Sequence, residues 1–544
     1  MVNPTTVEVD PLYYLHNFNQ LLNTIEELHL DLLHDDDRQL LASYQQLSQP
    51  AQQLYIRLIC RRAMHFRHDK LNYPEIQSLE QAANELDRQN LLVINPTLSA
   101  HELGNLMTAQ ELKLALQQKG SWRKAELTEI LDSRLEDQPA DATQWQTLLP
   151  EHVYQPLGRE SIERFRLIYF GNLYQDLSQF VVTDLGLMQF EPYPLDRETR
   201  AFNTPAALDR YLHLQRINEF LEEGGLPTKD MLTVMSATTN CQRLEHKRNR
   251  LIKAAGQLLE RSGELKSAIT LYQSATLPPN RERYVRTLFK AELYTEALHA
   301  CESLAAQPLN TEEEAFCESF APRIKRKLGG PPVSKKNTNF QSEQLSLTDT
   351  GNRVEEQVIT HYQSLGFEGV WCENELFNAL FGLLFWRQIF TPLPGAFSHP
   401  YQQAPLDFNS PDFAKRREEI FNARLNALEN LDLYDEAIRQ VAKSDGLANP
   451  FINWKRFNPH HLATLCERIP ANLLLQILRR ICFDHQAYRS GFPDLFVWHP
   501  HTSDYLLVEV KGPGDQLQNS QKRWLKVFEE IGIHYRISWV LRPA

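Results

Sequence analysis

The sequence predicts a multidomain, mainly α-helical chain that ends in a smaller α/β domain. Three observations carry that expectation: the length, two related helical phrases in mid-chain, and one stretch of strand-like alternation near the C-terminus. At 544 residues the chain exceeds what one hydrophobic core serves, so three or four domains are expected. The apolar share of 42% is ordinary for globular folds. No apolar run is long enough to cross a bilayer, and the polar start MVNPTTVEVD does not read as a secretory signal. Seven scattered cysteines without a Cys-x-x-Cys pair argue against a disulfide framework or zinc ribbon and fit a reducing cytoplasm. The net charge of -12 leaves nucleic-acid contact to local basic faces.

Taken in order, residues 1–95 read as helices with polar turns. In LYIRLICRRAMHFRHDK, apolar Leu54, Ile56, Leu58 and Ile59 run beside basic Arg57, Arg61, Arg62, Arg67 and Lys70. One helix through this segment would bury one side and offer a cationic, DNA-facing stripe on another; the plain alternative is a solvated face. Within residues 96–160, LMTAQELKLALQQKGSWRKAELTEILDSRL predicts two short amphipathic helices jointed at Lys119-Gly120-Ser121, lined by Leu112 and Leu116, then by Leu127, Ile130 and Leu131. This resembles a SAP module, with Lys119, Arg123 and Lys124 where such modules meet phosphates. Residues 161–328 hold a stretch expected to be extended, VVTDLGLMQFEPY, then GELKSAITLYQSA and AELYTEALHACES, with Ala268 and Ala297 in matching places. These resemble second helices of tetratricopeptide-type hairpins, whose small residues permit close packing. Such repeats offer a surface for protein partners, or for DNA through Arg243, Lys247, Arg248, Arg250, Arg281, Arg283 and Arg286. Residues 329–352 are rich in Gly, Pro, Ser, Lys and Asn and read as a linker. The last domain is expected over 353–544.

That domain contains SGFPDLFVWHPHTSDYLLVEVKGPG. Leu495–Trp498 and Tyr505–Lys511 alternate as strands across a polar turn, which predicts an antiparallel hairpin. Side chains two apart share a strand face, so Glu509 and Lys511 point one way and Val508 and Val510 the other. Asp494, just before the first strand, comes alongside Glu509. Two carboxylates and an ammonium group suit phosphodiester hydrolysis, in which hard divalent cations neutralise the phosphoryl group and activate water. Lys511 suits the attacking water or the developing oxyanion, and the Val510 carbonyl is a further candidate ligand. The bland reading of Glu-x-Lys is an exposed ion pair of little worth.

Pro-Asp, fourteen residues, then Glu-x-Lys resembles the PD-(D/E)xK nuclease core. Together with GFEGVWCENELFNALFGLLFWRQIF, PLDF, SGFPDLFVW, LLVEVKGPGDQL and QQLYIRLICRR, it resembles a bacterial member of the Fanconi-associated nuclease family with its VRR-NUC domain. The resemblance implies a winged-helix/SAP-like helical region, tetratricopeptide-like repeats and a C-terminal restriction-endonuclease-like α/β domain. It implies Mg²⁺ or Mn²⁺ as cofactor and branched or flapped double-stranded DNA as partner. The implied activity is 5′-flap cutting with 5′→3′ trimming in interstrand crosslink repair, by a cytoplasmic, nucleoid-associated protein. Carried onto this chain, it makes Glu373 the third acidic ligand, with Glu375 a close rival and Glu355 and Glu356 behind. It sets Gln521 beside the site.

Departures accompany the resemblance. The Cys/His zinc finger of animal members is absent, and positions where some members hold basic residues for a 5′ phosphate carry Gln486 and Ser520, leaving Arg489 and Lys522 as substitutes. His485, His499 and His501 near the motif lack zinc-ligand spacing. The alternative from another class is a DNA-binding repeat scaffold whose nuclease-like domain is inactive.

Overall fold

The computed structural model describes residues 11–135, 138–175, 188–331, 339–348 and 350–542. Contacts divide the chain into two compact units, residues 1–187 with 202–208, and residues 188–201 with 209–544. Of the stretch expected to be extended, VVTDLGL lies outside the described residues.

The first unit opens with helices Tyr13–Leu28, Asp35–Gln45, Gln49–Ile59 and Leu79–Arg88. A three-stranded antiparallel sheet completes it, β1 (Phe66–Arg67), β2 (Leu92–Ile94) and β3 (Val153–Pro156), in the order β1-β3-β2. The expected boundary at residue 96 is therefore corrected, because β3 from the later segment pairs between both strands of the earlier one. Between β2 and β3 sits a small helical lobe with its own core of Leu98, Leu103, Met107, Leu112, Leu116, Leu127, Leu131, Trp145 and Leu149. Its two predicted helices form as Ala109–Ala115 and Lys124–Arg134. Thr108 and Glu111 start the first by reciprocal bonds to each other's backbone N–H, a capping box.

In the second unit, helices Gln242–Ser262, Leu265–Gln273, Asn280–Lys290, Tyr294–Ala306 and Thr311–Lys327 pack each on the next. Ala268 and Ala297 are fully buried at the expected close approaches. The basic residues of this array are largely spent inside it: Arg248 holds Glu245, Arg281 holds Glu313 and Arg283 holds Glu260. These ion pairs take Arg248, Arg281 and Arg283 out of the cations counted toward a DNA-facing surface.

A five-stranded mixed sheet follows, β4 (Ser342–Ser346), β5 (Glu368–Trp371), β6 (Leu495–Trp498), β7 (Tyr505–Lys511) and β8 (Tyr535–Leu541), ordered β4-β8-β7-β6-β5. The linker expected to run to residue 352 is corrected as well: residues 342–346 add a parallel edge strand to β8. Residues 332–338 and 349 of that segment lie outside the described residues. The hairpin of β6 and β7 forms in the register Leu495↔Val508 to Trp498↔Tyr505. One face of the sheet, with Leu495, Val497, Val508 and Val510, packs on helix Val354–Ser364 through Val358 and Tyr362. The other, with Phe496, Trp498, Tyr505 and Leu507, packs on Trp524 and Phe528 of helix Asn519–Ile531. The helices between β5 and β6 extend this second core. Among the described residues no helix is long and apolar enough to cross a membrane.

Candidate active site

Along β7, Tyr505, Leu507, Glu509 and Lys511 share a face by the two-residue period. The first two fill the core. The row then turns polar where β6 runs out, since Leu495 is its first residue and pairs with Val508. Glu509 is 1% and Lys511 7% exposed, and the Lys511 Nζ lies 2.6 Å from Glu509 Oε1. A bare surface ion pair is thereby excluded.

Asp494, one residue before β6, accepts a 2.8 Å bond at Oδ2 from the Val510 N–H. Its backbone carbonyl accepts from the Cys372 N–H at 2.8 Å and the Glu373 N–H at 3.0 Å. These two bonds clamp the end of β5 to the start of β6 and carry Glu373 to the centre. Glu373 has φ +20°, a rare backbone state for a residue with a side chain and one that collects at functional sites. Glu375 is directed away, with its carboxylate 2.9 Å from Arg456 Nε.

Gln521 joins the far side. In the first turn of helix Asn519–Ile531, its Oε1 accepts from the Gln518 N–H at 2.8 Å while its Nε2 donates to Glu509 Oε1 at 2.6 Å. The helix start and the buried carboxylate are thus tied through one amide. Gly491 makes room for this: at φ +88° a Cβ there would lie 2.6 Å from the Ser520 carbonyl carbon and 2.8 Å from the Gln521 nitrogen.

Burial, then the neighbouring Asp494 charge, pushes the Glu509 carboxyl up to about 8 against the pull of Lys511. Burial also lifts Asp494 to about 6, opposed by the Val510 N–H and Lys511 and assisted by Glu355 and Glu373. Glu355 stands on the first turn of helix Val354–Ser364, and its charge bears on Asp494 because that helix packs on the sheet, which no local pattern encodes. Glu356, its neighbour, is exposed.

The centre therefore sets Glu509 with Lys511 and Gln521 and Asp494 on the Val510 N–H, and the charges of Glu373 and Glu355 bear on Asp494. As the side chains lie, no three carboxylate, imidazole or thiolate groups among the described residues are close enough to hold an ion. One Glu509 oxygen is taken by Lys511 and Gln521, and Asp494 Oδ2 by the Val510 N–H. The donor set nevertheless suits a hard cation: oxygen only, two carboxylates held at a desolvation cost, and an exposed Glu373 able to swing. The Val510 carbonyl lies on the same edge of β7 as its N–H, beyond the end of β6, since both backbone groups of a residue face one neighbour in a ladder.

The histidines stand elsewhere. His499 and His501 belong to the turn at the opposite end of the hairpin, where His499 packs edge-on against Phe367. His485 is buried against Phe408 and Phe413, and burial pulls it down to about 3, so it stays neutral.

Of the basic residues, Arg61 and Arg62 are exposed, as are Lys119, Arg123, Lys124, Arg489 and Lys522. Arg57 and Arg67 are not free. Arg57 holds Glu75 at 2.7 Å and lies over the Tyr14 ring. Arg67, 6% exposed, grips Asp69 and Glu111. The expected single helix ends at Ile59, which breaks the stripe and corrects the reading of these two as DNA contacts.

Comparisons with known proteins agree with this architecture. Residues 12–93 match the family "FAN1, HTH domain" and residues 430–540 the "VRR-NUC domain". A Fanconi-associated nuclease 1 homolog of Pseudomonas aeruginosa is 33% identical over 98% of this chain and 96% of its own length. An Arabidopsis thaliana homolog is 24% identical over 98% of this chain and 67% of its own. The crystal structure of paFAN1 bound to 2nt 5′ flap DNA with gap superposes with TM-score 0.83 at 32% identity, covering 99% of this chain and all of that one.

Proposed function

The chain belongs to the Fanconi-associated nuclease family, and from that membership we propose that it is a divalent-metal-dependent nuclease that cuts flapped double-stranded DNA. The observation that carries the proposal is the convergence of Asp494 with the buried Glu509–Lys511 pair at one end of the hairpin. The similarity to a structure solved with 5′ flap DNA supports the substrate class. Cutting near the flap junction, 5′→3′ trimming and service in interstrand crosslink repair complete the reading.

A Mg²⁺ or Mn²⁺ held here would supply charge neutralisation at the scissile phosphoryl group and activation of water. Asp494, Glu509, the Val510 carbonyl and Glu373 are the residues to hold it, with Glu355 the next carboxylate outward. Lys511 delivers positive charge on the Glu509 side, where it orients water or stabilises the developing oxyanion. Gln521 fixes the Glu509 rotamer from the helix behind, as outer partners of metal-binding carboxylates do. Low dielectric around this set strengthens each of these interactions. Arg61, Arg62, Lys119, Arg123, Lys124, Arg489 and Lys522 provide exposed cations for phosphates, which position DNA without reading sequence. Salt should therefore weaken binding steeply. The scaffold alternative draws no support from this geometry, because the acidic pair and its lysine are intact and mutually positioned.

The test is a labelled 5′-flap duplex incubated with Mg²⁺, Mn²⁺ or EDTA. Cutting is expected with either metal and not with EDTA. Asp494→Ala and Lys511→Ala should abolish it while DNA binding survives. Wild-type rates from both variants would overturn the proposal.

A further inference from the structure

We propose that the cavity beside this centre, walled by Trp371 and Arg456, is a nucleobase pocket gripping the nucleotide next to the scissile phosphate. The inference rests on the nuclease reading above. Trp371 is the last residue of β5 and pairs with Leu495. The next residue, Cys372, is bonded to the Asp494 carbonyl, and Glu373 follows. Cys372 also lines the cavity and thus ties its wall to Asp494 through the backbone. A cavity of about 230 Å³ opens there, bounded by Trp371, Glu375, Asn453, Arg456, Asn458 and His461 among others.

Its walls fit a flat, neutral ligand. The Arg456 guanidinium lies over the Trp371 ring, 4.0 Å from the centroid, and its Nε holds Glu375 at 2.9 Å. An indole with a guanidinium fixed on it forms the kind of planar layer on which bases stack. Glu375 cancels the arginine's charge and would repel a phosphate, which disfavours a backbone contact at this spot. Asn453 and the His461 ring line the same wall, and Asn458, whose Oδ1 accepts from the His460 N–H at 2.9 Å, holds its Nδ2 3.3 Å from His461 Nε2. Burial pulls His461 below the usual imidazole range, so the pocket stays close to neutral. Arg456 is 43% and Glu375 30% exposed, which leaves the cavity open to solvent. Glu375 thus acts as a latch on the stacking layer, and the neighbouring Glu373 serves the metal.

The experiment uses the full chain and a 5′-flap duplex carrying 2-aminopurine, or an abasic residue, at each nucleotide flanking the mapped cut. In EDTA, wild-type protein should quench the 2-aminopurine at one of these positions, and Trp371→Leu should not. In Mg²⁺, the abasic residue at that position should slow wild-type cutting about tenfold. Trp371→Leu should cut intact and abasic flaps alike, and Trp371→Phe should regain the difference. Arg456→Gln, on the exposed rim, should halve the discrimination or more, which keeps the test sound if Trp371→Leu melts early. Quenching without cutting would sink the nuclease reading and leave the pocket standing. Cutting with no quenching, or with wild-type discrimination in both Trp371→Leu and Arg456→Gln, would overturn the pocket alone.

Discussion

Replacing Glu509 by Gln should change how stability depends on pH before any DNA is added. Glu509 is 1% exposed, and its carboxyl is lifted from 4.5 to about 8. A carboxyl raised on folding favours the protonated form. Its contribution to stability is full below the unfolded value of 4.5 and is lost as pH climbs through about 8. At about 1.4 kcal/mol per pH unit, the ceiling on that loss is about 5 kcal/mol. Glu509 and Asp494 titrate as one coupled pair, each charge raising the other, so Glu509 carries only part of the shift and a loss of about 2–3 kcal/mol is expected. Metal-free wild-type protein should therefore become less stable to urea between pH 5 and pH 9. Glu509→Gln should flatten that decline, although it strands Lys511 and lowers the curve as a whole. Mg²⁺ at pH 8.5 should restore wild-type stability and leave the variant unmoved. Denaturant melts in EDTA at five pH values supply the measurement. Parallel curves for the two proteins would refute the placement of a costly buried charge at this position.

Other expectations test separate parts of the construction. Gly491→Ala sets a methyl group into the Ser520–Gln521 backbone at a positive-φ site, and should cost about 1–3 kcal/mol in thermal denaturation and slow cutting together. Gln521→Leu should reduce the cutting rate about 10–100-fold with unchanged flap affinity by fluorescence anisotropy. Arg61→Glu with Arg62→Glu should weaken binding to every DNA form and flatten its salt dependence. Arg67→Ala should instead destabilise the first unit by about 1–2 kcal/mol, since it removes the bridge between Asp69 and Glu111, which keep Lys70 and the Thr108 N–H. Glu373→Gln should abolish Mg²⁺-dependent cutting, whereas the exposed Glu356→Gln should cut at the wild-type rate.

The parts of this fold that local patterns encode were readable in advance. The hairpin follows from alternation in LFVW and YLLVEVK, and the same period puts Glu509 and Lys511 on one face. Ala268 and Ala297 announce close helix packing because nothing larger fits. What escaped the sequence depends on partners distant along the chain. β4 is Ser-Glu-Gln-Leu-Ser, with Leu345 alone to bury, and it becomes a strand only because β8 offers it an edge. β3 returns to the first sheet after a long excursion. Arg57 and Arg67 look like any cations until Glu75 and Glu111 arrive. Glu355 gains its meaning from a helix laid across a sheet. Segment type was thus legible where the code is periodic, and the identity of a charge's partner was not.

The helical lobe of the first unit leaves the sheet and comes back to it through adjoining rungs. The Asn95 N–H donates to the Val153 carbonyl at 2.7 Å, and Leu98 and Ala140 exchange backbone bonds just outside. With a separate interior and a paired doorway, such a module can be swapped, enlarged or trimmed while the strands beneath keep their pairing. The exposed cations Lys119, Arg123 and Lys124 on that module are thereby open to evolutionary retuning at little expense to the platform that bears it.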